Sequence, residues 1–78
     1  MDNCELSTQQ ELEEVFNRSI KNNNGLGVLI DMPGYEFPEL IINPPENLEK
    51  KLAYYKATYD ENLNHKHAEG IRIVGYAL

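Results

Sequence analysis

The chain has 78 residues, with thirteen acidic side chains against seven basic ones and a net charge of -6. That length holds one domain with a modest core, burying about 60–65% of its unfolded-chain surface, so association with another chain is a welcome supplement. The acid excess argues against a phosphate-backbone binder, which needs clustered Lys and Arg, and against adsorption to an anionic membrane.

The first predicted element is a helix over about residues 8–22. Leu12, Val15, Phe16, Ser19 and Ile20 recur at spacings of three and four and so share one stripe. Two capping boxes compete for its start, Ser7 with Gln10 and Thr8 with Glu11. Asn22 to Gly25 end it, because Asn and Gly tolerate the left-handed backbone of a helix C-cap.

Two strands follow, 26–32 and 39–43, both short, rich in Val, Ile and Leu, and bounded by Gly and Pro. Pro33-Gly34 between them suits the centre of a type II turn. Pro38 precedes the second strand, where no ladder N–H is needed. Asn43-Pro44-Pro45-Glu46 then reads as a helix start, with Asn43 as cap and proline at the first position. The predicted helix runs over 44–66. Its Leu48, Leu52, Tyr55, Tyr59 and Leu63 fall within about 80° of arc. Gly70 releases the chain into a last strand over 71–77.

The expected fold class is α+β, one small domain over residues 1–78 in the order α-β-β-α-β. A right-handed βαβ crossover gives a three-stranded mixed sheet of strand order 2-1-3 with two helices. Leu26, Val28, Ile30 and Met32 share one sheet face. Leu29 lies on the other, joined by Ile41 and by Val74 or Ile73 depending on register. Either the two helices cover opposite faces, or both lie on one and a partner covers the other. A sheet this small gains most from association, which favours the second arrangement.

The single Cys4 forms no intrachain disulfide, which fits a reducing cytosol. MDNCELSTQQ has neither a basic segment nor an apolar core, so no signal peptide is expected. No apolar run reaches the roughly 20 residues of a membrane span. The expected location is the cytoplasm.

The stretch ELIINPPENLEKKLAYYKATYDENL, followed by IRIVGYAL, resembles a group of short, functionally uncharacterised proteins encoded by phages and prophages of Gram-positive bacteria. The residues that carry the resemblance are Ile41-Ile42-Asn43-Pro44, Glu46-Asn47, Lys50-Lys51-Leu52, Tyr54-Tyr55-Lys56, Tyr59 and Ile71 to Tyr76. It covers roughly the last 50 residues and leaves the first helix outside it. The resemblance implies a small accessory protein working in the host cytoplasm, and it implies no activity.

Chemistry is sparse. Asp60, Glu61, His65 and His67 cluster late in the second predicted helix, where Glu61 and His65 stand four apart as metal ligands on a helix would. The plainer reading is a solvated terminal turn with histidines favoured by the helix dipole. Asp2 and Glu5 beside Cys4 disfavour a nucleophilic thiolate. Gly25-Leu26-Gly27 precedes a strand instead of opening a helix, so it is no phosphate loop. No catalytic constellation and no cofactor is expected.

Tyr54 lies about 100° from Tyr55 on the helix wheel, outside the apolar stripe. With Tyr35 and Phe37 in the hairpin loop it forms a set of aromatic anchors for a partner. Leu29 and Ile41 add an apolar sheet surface. The chain therefore reads as a non-catalytic protein-interaction module, a homodimer that binds a host or phage protein. The alternative is a small-ligand or metal-binding domain with enzymatic activity. The acids Asp2, Glu5, Glu11, Glu13 and Glu14 supply a field for a basic partner, and mimicry of nucleic acid is one variant of the interaction reading. The charge is uneven: -3 in residues 1–25, -3 in 26–43, -1 in 44–69 and +1 in 70–78.

Overall fold

The computed structural model describes residues 3–78. Its elements are β1 (Asn3–Glu5), α1 (Gln9–Lys21), β2 (Leu26–Asp31), β3 (Glu39–Asn43), a 3-10 turn (Pro45–Asn47), α2 (Leu48–Thr58) and β4 (Arg72–Ala77). The fold is α+β, with two helices and a four-stranded sheet in the order β1-β4-β2-β3. Every neighbouring pair is antiparallel.

This corrects the expected three-stranded mixed sheet. The residues leading into α1 add a fourth strand, β1, which pairs outside β4 through Asn3↔Ala77, Cys4↔Tyr76 and Glu5↔Gly75. Pairing continues as the Leu6 N–H donates to the Val74 carbonyl. β2 lies between β3 and β4, so no two parallel strands are adjacent and the sheet is not mixed.

α1 starts on Thr8, not Ser7. The Thr8 hydroxyl accepts the Glu11 N–H at 3.2 Å, while the Glu11 carboxylate accepts the N–H groups of Ser7 at 2.8 Å and Thr8 at 3.0 Å. At the other end Asn23 takes the left-handed conformation (φ 54°). Its N–H bonds the Ile20 carbonyl and the Asn24 N–H bonds the Ser19 carbonyl, a Schellman motif with asparagine in glycine's place.

The second helix is much shorter than the sequence suggests. It ends at Thr58 and not at 66, because Tyr59 turns to extended backbone. The Asp60 carboxylate then takes the N–H groups of Asn62 (2.9 Å) and Asn64 (3.0 Å), a local alternative to helical bonding. Leu63 sits at φ 64°, yet is fully buried. The left-handed conformation costs roughly 1–2 kcal/mol, and burying a leucine returns about 1.5–3 kcal/mol, so burial wins. Residues 63–65 then run beside the start of β4, with Ile73 N–H donating to Leu63 and His65 N–H to Ile71.

One core cluster joins Leu12, Val15 and Phe16 of α1 to Leu48 and Tyr55 of α2. It also contains Leu26, Val28 and Ile30 of β2, Ile73 of β4, and Leu6, Tyr59 and Leu63. The β2 members alternate along the strand and so share one face. Both helices therefore pack on that face. The helices also hold each other: Phe16 and Tyr55 meet edge to face at 5.9 Å, and Lys56 pairs with Glu13. The Gln9 side chain donates to the Lys56 (3.3 Å) and Tyr59 (3.0 Å) carbonyls, satisfying the last turn of α2.

Candidate interaction surface

The face turned away from the helices is built by register. Leu29 of β2 pairs with Leu40 of β3 and with Gly75 of β4, while Gly27 pairs with Ile42 and Ala77. Paired residues project to the same side, so Leu29, Leu40 and Ile42 form its apolar centre. Ile42 is 62% exposed and Leu40 39%, while Leu29 is half-buried. Asp31 faces Arg72 at one end, and Glu5 on the β1 edge faces Gly75, in the same row as Leu29. The apolar patch therefore runs from Leu29 out to the β3 edge.

Two positions of this surface, Gly27 and Gly75, lack side chains. A Cβ on Gly75 would lie 2.5 Å from the Cys4 carbonyl, so β1 approaches β4 only over glycine. A Cβ on Gly27 would meet the Leu40 side chain at 2.7 Å. The Leu29 side chain leans over Gly75 and those of Leu40 and Ile42 lean over Gly27.

Ile41 is not part of this face, which corrects its expected place beside Leu29. It pairs with Val28 and lies on the helix side, half-buried against the core. A one-residue difference in register moves a side chain across the sheet, and the run Leu40-Ile41-Ile42 carries no polar residue to mark it. A bulge between Leu29 and Ile30 shifts the β4 register as well, so Gly75, and neither Val74 nor Ile73, stands opposite Leu29.

The aromatic residues divide in the same way. Tyr35 and Phe37 are 64% and 72% exposed in the β2–β3 connection, after a turn in which Tyr35 N–H bonds the Met32 carbonyl. Tyr54 is 52% exposed on α2, in edge contact with Tyr55, and the Lys51 ammonium lies 5.2 Å from its ring centre. It borders a groove of about 250 Å³ with Met32, Ile41, Lys51, His65 and Ile71. Among the described residues, no aromatic pair joins Tyr54 to Tyr35 or Phe37.

The candidate metal ligands are not brought together. With α2 ending at Thr58, Glu61 and His65 do not share a helix face. Glu61 is exposed beside an open polar cleft with Gln9 and Asn62. His65 Nδ1 accepts the N–H groups of His67 and Ala68, each at 3.0 Å, and its ring packs on Tyr59 at 5.2 Å. Asp60 is committed to its turn, and Cys4 lies in β1 opposite Tyr76. Among the described residues no group of three or more His, Cys, Asp or Glu side chains is placed to hold a metal ion.

Of the acids expected to supply a field, Glu5 and Glu14 are exposed. Asp2 lies outside the described residues, Glu11 is held in the capping box, and Glu13 is paired with Lys56. Among the described residues no helix is long and apolar enough to cross a membrane. No protein-family model matches the chain, and no curated protein or solved structure matches it either.

Proposed function

We propose that the chain is a non-catalytic protein-interaction module: a homodimeric phage or prophage accessory protein that presents its open sheet face to a host or phage protein in the cytoplasm. The observation that supports this reading is the one-sided layering. Two helices cover the Leu26–Val28–Ile30 face, and the opposite face carries Leu29, Leu40 and Ile42. The interaction reading also draws on Tyr54 as an exposed aromatic anchor on the helix side. The resemblance of the last 50 residues to phage and prophage proteins supplies the genomic context.

The test is affinity purification of wild-type chain and of Leu29→Lys from lysogenic or infected cells, followed by mass spectrometry. A protein retained by the wild type and lost with Leu29→Lys is the expected result. Identical sets of co-purifying proteins would overturn the reading. Leu29→Lys alters the middle of the open face and leaves the core face of β2 intact.

A further inference from the structure

We propose that a second copy of this chain adds to the free edge of β3, antiparallel and about a two-fold axis through Ile41, so that two four-stranded sheets become one of eight. This specifies the homodimer of the preceding section and rests on that reading.

The two edges of the sheet differ. β1 is only three residues long, which discourages a strand from recruiting another, and each edge carries one glutamate, Glu5 on β1 and Glu39 on β3. β3 is five residues, Glu39-Leu40-Ile41-Ile42-Asn43, with an uninterrupted register against β2 and no lysine or proline inside it. In an edge strand every second residue points its N–H and C=O away from the sheet, towards water or another strand.

This strand is also complementary to itself. Antiparallel pairing centred on Ile41 sets Ile41 opposite its mate, Leu40 opposite Ile42, and Glu39 opposite the uncharged Asn43. The Leu40–Ile42 pairs continue the open apolar face across the junction. On the helix side, Ile41 lines the same groove as Tyr54 and Lys51, so the incoming strand closes the mouth of that groove. The two Glu39 carboxylates end four residues apart along the junction. At about 3.4 Å per residue that is roughly 14 Å, beyond the ~8–10 Å over which salt leaves charges in contact.

The prolines choose the register. Pro38 and Pro44 bracket the strand, and neither has an N–H to give, so the ladder stops at both. Centring on Ile41 uses all five residues and sets Pro38 against Pro44 just outside. A slip of one residue opposes Leu40 to Ile41 and turns one copy's open face to the other's helix side. A slip of two leaves three pairs.

In a Cys4→Ser background, Ile41→Cys should oxidise to a disulfide-linked dimer, because directly opposed residues have Cβ atoms about 4.5–5.5 Å apart, close to disulfide reach. Leu29→Cys should form no disulfide-linked dimer under the same conditions: three strand spacings separate it from its mate, about 14 Å. In the unmodified chain, light scattering should give twice the 9.0 kDa chain mass, and alternate β3 amides should exchange more slowly as concentration rises. Cross-linking through Leu29→Cys and not Ile41→Cys would overturn the edge geometry in favour of face-to-face packing, while leaving the interaction module standing. A 9.0 kDa species with concentration-independent β3 exchange would overturn the edge pairing and the homodimer together. The partner test with Leu29→Lys would then decide the rest.

Discussion

The two faces of the sheet carry the same kinds of side chain and meet different fates. On β2, Leu26, Val28 and Ile30 are 1%, 0% and 6% exposed, while Ile42, on the reverse face of β3, is 62% exposed. A strand apolar on both sides normally signals cover on both sides. Here the deciding interaction lies between the helices. The Phe16–Tyr55 contact, the Gln9 bonds to the end of α2 and the Glu13–Lys56 pair hold α1 and α2 side by side. The two helices among the described residues, once they bind each other, leave none for the second face. Apolar patterning thus counts the surfaces that want cover, and helix–helix contacts decide which one receives it.

The largest expected effect comes from weakening the covered face. Phe16 is fully buried at the junction of both helices, and Phe16→Ala should destabilise the fold by about 3–5 kcal/mol in urea unfolding. Leu63→Ala should cost about 2–5 kcal/mol by the same mechanism, although this residue lies in a turn. A loss below about 1 kcal/mol at either position would show that the helix layer is not where stability resides.

Much of that layer was legible in the sequence. The capping box of Thr8 and Glu11 and the stripe of Leu12, Val15 and Phe16 carry local signals that the fold obeys. Leu48, Tyr55, Tyr59 and Leu63 are all buried, but the last two reach the core from a turn, where helical spacing says nothing. Asp60, Asn62 and Asn64 in alternation were the available signal for that turn, since short polar side chains compete for backbone N–H groups. β1 was not legible: its three residues acquire strand geometry only by pairing with β4, some seventy positions away. The face of Ile41 was not legible either, because Leu40, Ile41 and Ile42 are equally apolar and only the pairing partner decides. The candidate surface was therefore half visible: Leu29 lies on it, while Leu40 and Ile42 emerge only with the register.

Alkaline pH tests the covered face without cutting a cavity. Burial pushes the Tyr55 phenol from 10.0 up to about 12, with the adjacent Asn43 side chain moderating the rise. Burial raises Tyr59 as well. The unfolded chain therefore releases these protons first. The stability tied to Tyr55 is whole below pH 10 and drains as pH climbs from 10 to 12. Tyr55→Phe should flatten that part of the melting-temperature profile, with a loss of about 1 kcal/mol or less at neutral pH. An unchanged alkaline slope in the variant would place the phenol in water.

A smaller effect is expected at the rim of the helix layer. Thr8→Ala should cost about 1 kcal/mol through the lost cap. The N–H groups of Ser7 and Thr8 hold the Glu11 carboxyl below its ordinary 4.5. Its contribution is therefore present above that range and lost as pH falls through the lowered value. Glu11→Gln should shallow the acid limb of the melting profile and leave the alkaline limb unchanged.

The smallest stability effect should come from the open face, and that is what makes it diagnostic. Ile42→Lys places a charge at a position 62% exposed in the single chain and should move the unfolding free energy of the monomer, measured at concentrations below those of dimer formation, by no more than about 0.5 kcal/mol. Leu29→Lys leaves Leu26, Val28 and Ile30 in place, and its ammonium can reach water past Gly75. Association should respond in the opposite order of size: both variants should lose partner capture, and Ile42→Lys, beside the β3 edge, should also lose dimer mass. A face that merely lacks helices would let both lysines pass without consequence in either assay. A face that works by contact would leave a folded chain that no longer binds.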